Sequence, residues 1–239
     1  FNIGAAGQYT IGAGFALYAA LAWNLPWWLC IIVAAFSGAV LGTISGILKA
    51  YCNVNEVISG IMLNWISLYC MSMLRESVKE GTSPYTKNLA AVNRKAILPT
   101  LGLDKVFGNK YVTIAIPLAI IMAVIVWIVL EKTKFGYELK ATGFNRHAAK
   151  YCGMAEKRNM IIILFIGGAI AGFGAAMFYL TGIEQWNCSQ SSVPGMGFNG
   201  IAAAFLGGLN PIGSIFSSYF IQHITEGGAN VDLRVYSRQ

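Results

Sequence analysis

The sequence predicts an all-α, polytopic transmembrane helix bundle, and three observations carry that prediction. Of the 239 residues, 56% are hydrophobic and only 11% charged, where a water-soluble domain carries roughly 25% charged residues. Mean hydropathy is +0.59. The apolar residues are gathered into six runs, near 1–23, 27–48, 57–74, 111–130, 159–182 and 198–224. A helical crossing needs about 20 residues. Four of the runs meet that easily, while 57–74 is short and 198–224 is broken by Asn210-Pro211.

The first run opens on Phe1-Asn2-Ile3-Gly4-Ala5-Ala6-Gly7-Gln8, a glycine-rich stretch with amides at membrane depth. Non-helical backbone is tolerated there only inside protein or beside water. Asn2 and Gln8 are therefore candidates to line a pathway, with a tight helix junction as the alternative. Trp23, Trp27 and Trp28 flank the first turn as an interfacial belt. In the second run Gly38, Gly42 and Gly46 recur every four residues, as do Gly168 and Gly172 in the fifth. Such ladders let helices approach closely and point to a packed bundle, without naming a substrate.

Asn53-Val54-Asn55-Glu56 precedes the third run. Asn53 as N-cap with Glu56 three residues on reads as a capping box. The alternative is that Glu56 and Asn64, polar groups in or near a span, face an aqueous path. Pro194-Gly195-Met196-Gly197-Phe198-Asn199-Gly200 resembles the opening stretch in character and makes Asn199 a further path candidate. Pro211 removes a helix donor, so 198–224 reads either as one span or as a re-entrant half-helix followed by a span.

Two loops are long, 75–110 and 131–158, and the run 111–130 puts them on opposite faces. Each carries seven basic residues. Counting Lys49, and Arg234 and Arg238 if 198–224 crosses once, gives ten basic residues against seven and makes 131–158 the cytoplasmic side. A hairpin at 198–224 removes that bias. In 131–158, Asn145 is a good N-cap, Gly153 a good C′ residue, and Phe144 a possible staple against Ala149. A helix over 146–152 is expected. So short a helix is marginal in water, and Arg146 and Lys150 repel at i,i+4. It needs a support, either a cytosolic partner or anionic headgroups.

The net charge of +7 sits in loops between apolar runs, where it meets lipid or partners rather than nucleic acid. Five irregularly spaced cysteines make neither a disulfide framework nor a zinc site. No P-loop, nucleophile elbow, paired-carboxylate site or voltage-sensing arginine ladder is present, and neither His147 nor His223 has a metal-ligand partner at helical spacing. Catalytic and metal-binding residues are therefore not expected. With no visible signal peptide, residues 1–239 read as a single transmembrane domain from inside a longer protein. An ion-gradient transporter would need a buried ionisable pair, for which Glu56 is the only candidate acid; a transport-inactive scaffold is a third class.

Several blocks together resemble the permeases of ABC importers for nucleosides and simple sugars, in the group that includes ribose and branched-chain amino-acid permeases. These are Phe1-Asn2-Ile3-Gly4…Gly7-Gln8, Asn55-Glu56-Val57-Ile58-Ser59…Leu63-Asn64, Thr133 to Ala141 with Gly143, Asn145…Ala148-Ala149…Gly153, and Pro194-Gly195…Gly197-Phe198. The resemblance implies about ten spans in the whole protein and a second permease chain. It implies cytosolic ATPase subunits holding the ATP and Mg, and an extracytoplasmic lipoprotein that delivers substrate, a nucleoside, with ribose, other simple sugars or branched-chain amino acids as the alternative. It makes 131–158 the cytoplasmic coupling loop, with Gly143, Asn145, Arg146, Ala148, Ala149, Lys150 and Gly153 as its contact residues. It makes 75–110 the extracytoplasmic loop and places the chain in the bacterial cytoplasmic membrane. Many members carry Glu where this chain has Ala6. Replacing Gly143 or Gly153 with a β-branched residue is expected to uncouple ATP hydrolysis from uptake in liposomes; normal coupling in both variants would remove the lever.

Overall fold

The computed structural model describes residues 2–103, 105, 108 and 112–229. Phe1, Arg234 and Arg238, which entered the reading above, lie outside the described residues. The helices are α1 (Ala5–Leu21), α2 (Trp27–Cys52), α3 (Glu56–Glu76), α4 (Leu89–Val92), α5 (Ala115–Lys132), α6 (Lys134–Phe144), α7 (Arg146–Tyr151), α8 (Glu156–Tyr179), α9 (Met196–Leu206) and α10 (Pro211–Ala229). Among them α2, α3, α5 and α8 are long and apolar enough to cross a membrane.

Glycine decides how these helices meet. A Cβ on Gly38 would stand 2.3 Å from the Gly168 carbonyl oxygen, one on Gly42 2.1 Å from that of Leu164, and one on Gly172 2.1 Å from that of Ala34. The two ladders therefore face each other, and their paired numbers run in opposite senses, so α2 and α8 are antiparallel. Gly4 against Gly60, Gly7 against Asn64 and Gly14 against Met71 make α1 and α3 parallel. Between these lies α1, with Ala13, Ala16, Ala19 and Ala20 fully buried. With lipid outside, such contacts rest on close van der Waals packing rather than on expulsion of water.

On the face bearing 75–110, a cap closes the bundle. Asn93 Nδ2 donates to the carbonyls of Ala20 (2.9 Å) and Leu25 (3.0 Å), sealing the turn from α1 to α2. The Leu98 N–H donates to Leu180 O at 2.9 Å and the Thr86 N–H to Trp186 O at 3.0 Å, tying the cap to the strap that leaves α8. Arg75, counted above as a loop residue, is in the last turn of α3 and fully buried. Its guanidinium carbon lies 3.8 Å from the Trp186 ring centroid, Nε donates to Met71 O, and Nη1 and Nη2 have no hydrogen-bond partner. Stacking on the indole face thus stands in for an acidic partner.

Two local expectations change, and one open alternative is decided. Asn53 does not cap α3: it ends α2 in the left-handed region at φ 49°, and Asn55 caps α3 by accepting from the Val57 N–H. Asparagine tolerates that conformation better than other non-glycine residues. The loop 131–158 holds two helices rather than one, because Thr133 Oγ1 accepts from the Gly136 N–H and starts α6. The run 198–224 folds into a hairpin, with Gly207 against Gly213 and the Ser217 hydroxyl donating to Ala203 O. At 1.5 Å per residue, 11-residue α9 is too short to cross about 30 Å of hydrocarbon. The charge bias that assumed one crossing is removed with it.

Gly42→Ala should force α2 off α8 and lower stability by about 1–3 kcal/mol. By contrast Gly143→Ala, in α6 with nothing within 4 Å of an added Cβ, should stabilise by up to about 1 kcal/mol. Thermal denaturation in detergent separates the two; equal shifts would contradict the facing-glycine seam.

Candidate functional site: a membrane cavity and a capped loop

The first turn of α1 is assembled around Asn64 of α3. Asn64 Oδ1 accepts from the Gly7 N–H at 2.7 Å, and its Nδ2 donates to Ile3 O at 3.0 Å. One side chain thus satisfies a helix-start donor and a non-helical carbonyl that have no water to turn to. Gly7 is required here, since a Cβ would stand 2.8 Å from that Oδ1. Next to it Asn2 and Gln8 pair amide to amide, at 2.6 and 3.3 Å, with Gln8 fully buried.

Asn2 then faces an open-sided cavity of about 950 Å³ lined by α1, α5, α8, α9 and α10. Its walls include Tyr9, Phe173, Met177, Phe178, Met196 and Phe205, and no Asp, Glu, Lys or Arg among the described residues lines it. Of the five path candidates only Asn2 reaches this wall. Gln8 stands behind Asn2, and Asn64 is a buried clamp. Glu56 is paired with Lys49 across the α2–α3 turn, at the far end of the bundle from the cap. Asn199 is exposed on α9 and does not line the cavity. The glycine block at 194–200 is both junction and wall: a Cβ on Gly197 would lie 2.6 Å from Ala6 Cβ, while Gly197 and Gly200 line the cavity. Ala6 is 1% exposed, so a glutamate there would have to displace the first turn of α9.

Sequence reasoning missed the aromatic wall. Phe173, Met177 and Phe178 lie in a uniformly apolar run, and nothing in that run separates cavity side from lipid side. It also missed the series from the cap to the wall: Arg75 on Trp186, Trp186 to the half-buried Tyr179 at 5.1 Å between centroids, and Tyr179 to Tyr9 at 6.3 Å.

At the opposite face the loop 131–158 is ordered by polar contacts. Asn145 Oδ1 accepts from the Ala148 N–H at 3.0 Å, and Gly153 at φ 77° lets the Met154 N–H reach Ala149 O. Such a C-terminal turn favours glycine. Arg146 donates to Glu156 at 2.9 Å, and Asn159 Nδ2 donates to Thr142 Oγ1 at 3.0 Å, joining α7 and α6 to the first turn of α8. Lys157 lies over the Tyr51 ring of α2. Ala149 is buried, but the expected staple is absent: Phe144 is 90% exposed because α6 ends with it turned outward. Since Gly143 has a helical neighbourhood with open space around it and only Gly153 has positive φ, the backbone-strain test of the lever passes to Gly153.

Residues 1–234 match the family model described as "Branched-chain amino acid transport system / permease component". The chain is 32% identical to the guanosine ABC transporter permease protein of Bacillus subtilis, over 98% of this chain and 67% of that one. It is 35% identical to a nucleoside ABC transporter permease protein of Lactococcus lactis, over 95% of this chain and 64% of the relative. A glucose ABC transporter permease protein of Haloferax volcanii is 27% identical, over 98% and 63%. No solved structure matches. The chain belongs to this permease family of ABC transporters, as a multi-pass, non-enzymatic transport subunit of the bacterial cytoplasmic membrane. It spans about two thirds of the length of these curated relatives.

Asn64→Leu should orphan both the Gly7 N–H and the Ile3 carbonyl, at about 1–3 kcal/mol each, and lower the melting temperature. Asn199→Leu, on an exposed face, should leave it in place. A harmless Asn64→Leu would show that the α1 start is held by something else.

Proposed function

We propose that this chain is the membrane permease subunit of an ATP-driven importer of nucleosides. The observation that carries the substrate class is the cavity wall. A zwitterionic amino acid needs charged partners once it leaves water, and among the described residues no charged one lines the cavity. A simple sugar needs hydrogen bonds around its whole rim, whereas the wall is apolar, mostly small and aliphatic with the rings of Tyr9, Phe173, Phe178 and Phe205, and has Asn2 and Ser218 among its few polar groups. A planar base stacks on such side chains, a contact of about 1–3 kcal/mol per base. The names of the Bacillus and Lactococcus relatives support the same class; that of the Haloferax relative supports a sugar as the second reading.

In this reading the loop 131–158 is cytoplasmic and 75–110 extracytoplasmic. Two ABC ATPase subunits, carrying the ATP and Mg, act on α7; a second permease chain completes the path; an extracytoplasmic lipoprotein delivers substrate to the cap. Displacement of α7 passes to α8 through Arg146–Glu156 and, by way of α6, through Thr142–Asn159. Helix α8 carries Phe173, Met177 and Phe178 in the cavity wall. Its movement changes access, provided that substrate binds the two access states differently.

Reconstituted importer in proteoliposomes should take up labelled guanosine with ATP inside, and excess unlabelled nucleoside should suppress uptake while ribose and leucine do not. Phe178→Ala should raise KM about tenfold through lost stacking. Suppression by ribose or leucine instead would overturn the nucleoside assignment.

A further inference from the structure

Tyr151 and Phe144 are the two most exposed large hydrophobic side chains among the described residues, at 93% and 90%. Tyr151 ends the six-residue helix α7, and Phe144 ends α6, directly before the Asn145 cap of α7. Neither packs on its own chain, yet the backbone that presents them is held from both sides. Asn145 caps the start, Gly153 closes the end, Arg146 is tied to Glu156, and Ala149 is buried beneath. His147, Lys150 and Tyr151 share the outward face at helical spacing, and all three are exposed.

We propose that Phe144 and Tyr151 are the paired anchors by which this chain grips its ATPase subunit. The inference rests on the coupling reading of 131–158. Interface hot spots are aromatic residues that enter pockets from a rigid support, within a polar rim. The α7 loop has those parts: two rings clear of their own chain, a pinned backbone that loses little freedom on binding, and cations between the rings. The partner surface that fits it has two apolar sockets with acidic or carbonyl groups between them, receiving His147 and Lys150. The charged and amide residues next to the rings in sequence (Asn145, Arg146 and Lys150) keep this loop on the water side. A protein groove rather than the hydrocarbon is therefore the occupant.

The test uses the full-length permease in nanodiscs, titrated with its purified ATPase subunit. Phe144→Ala and Tyr151→Ala should each weaken binding at least about tenfold and reduce ATP-driven uptake, with the melting temperature of the permease unchanged. Phe144→Tyr and Tyr151→Phe should restore binding. Gly153→Val runs alongside. If it uncouples hydrolysis from uptake while both alanine variants bind the ATPase as wild type does, the anchors are refuted and the coupling loop stands. If Gly153→Val remains coupled as well, the coupling reading falls and the anchors with it. If the alanine variants retain ATPase binding but lose affinity for anionic vesicles, the rings serve the bilayer and the proposal is overturned.

Discussion

The close approach of α2 and α8 across facing glycines is the contact on which the rest of this bundle depends. Carbonyl oxygens of Gly168, Leu164 and Ala34 occupy the space where side chains would otherwise stand. Hydrocarbon gives helices no reason to expel a solvent between them, so association rests on packing distance and on polar groups that find partners inside. Once α2 and α8 are mated, a groove remains that only a helix of alanine and glycine can enter. Helix α1 supplies that face, with Gly12 against Gly172. Its position in turn brings Asn64 of α3 within reach of Ile3 and Gly7, and so allows a helix to begin inside the bundle rather than at its surface.

That internal start has consequences for chemistry. Helix α1 begins beside the cavity, and α9 packs its first turn on Ala6 through Gly197. Two helix starts and an amide pair therefore meet at the cavity edge, which among the described residues is lined by no ionised group. Specificity at such a place comes from shape, ring stacking and a few hydrogen bonds, which suits an uncharged, partly aromatic solute. The Arg75–Trp186–Tyr179–Tyr9 series joins this wall to the cap, so the two share one packed set of side chains.

Much of the architecture was legible beforehand. Runs of apolar residues located α2, α5 and α8 because crossing hydrocarbon demands length; 57–74, read as short, lies in the 21-residue α3, and 1–23 gives only the 17-residue α1. The glycine ladders announced close contacts, and Asn145 with Gly153 announced α7, because caps are local chemistry. Helix α6 escaped notice since a Thr133 cap followed by Gly136 is a weak local signal. Asn53 and Asn55 were exchanged because either asparagine can cap, and which does so depends on where α2 stops. The reading of Asn64 as a path residue failed to foresee its clamp, since its partners are 57 and 61 residues away along the chain.

By itself the sequence determined that this chain crosses a membrane repeatedly, that it contains no nucleotide-binding loop of its own, and which segment forms a short capped helix between two spans. These follow from composition, run length and neighbours within one helical turn. Only the tertiary structure decided which face of each apolar helix meets the cavity, which amide is a clamp and which a wall, and that Phe144 points away from Ala149. Such choices depend on helix rotation and on partners far apart in sequence, and a uniformly apolar run carries no information about either.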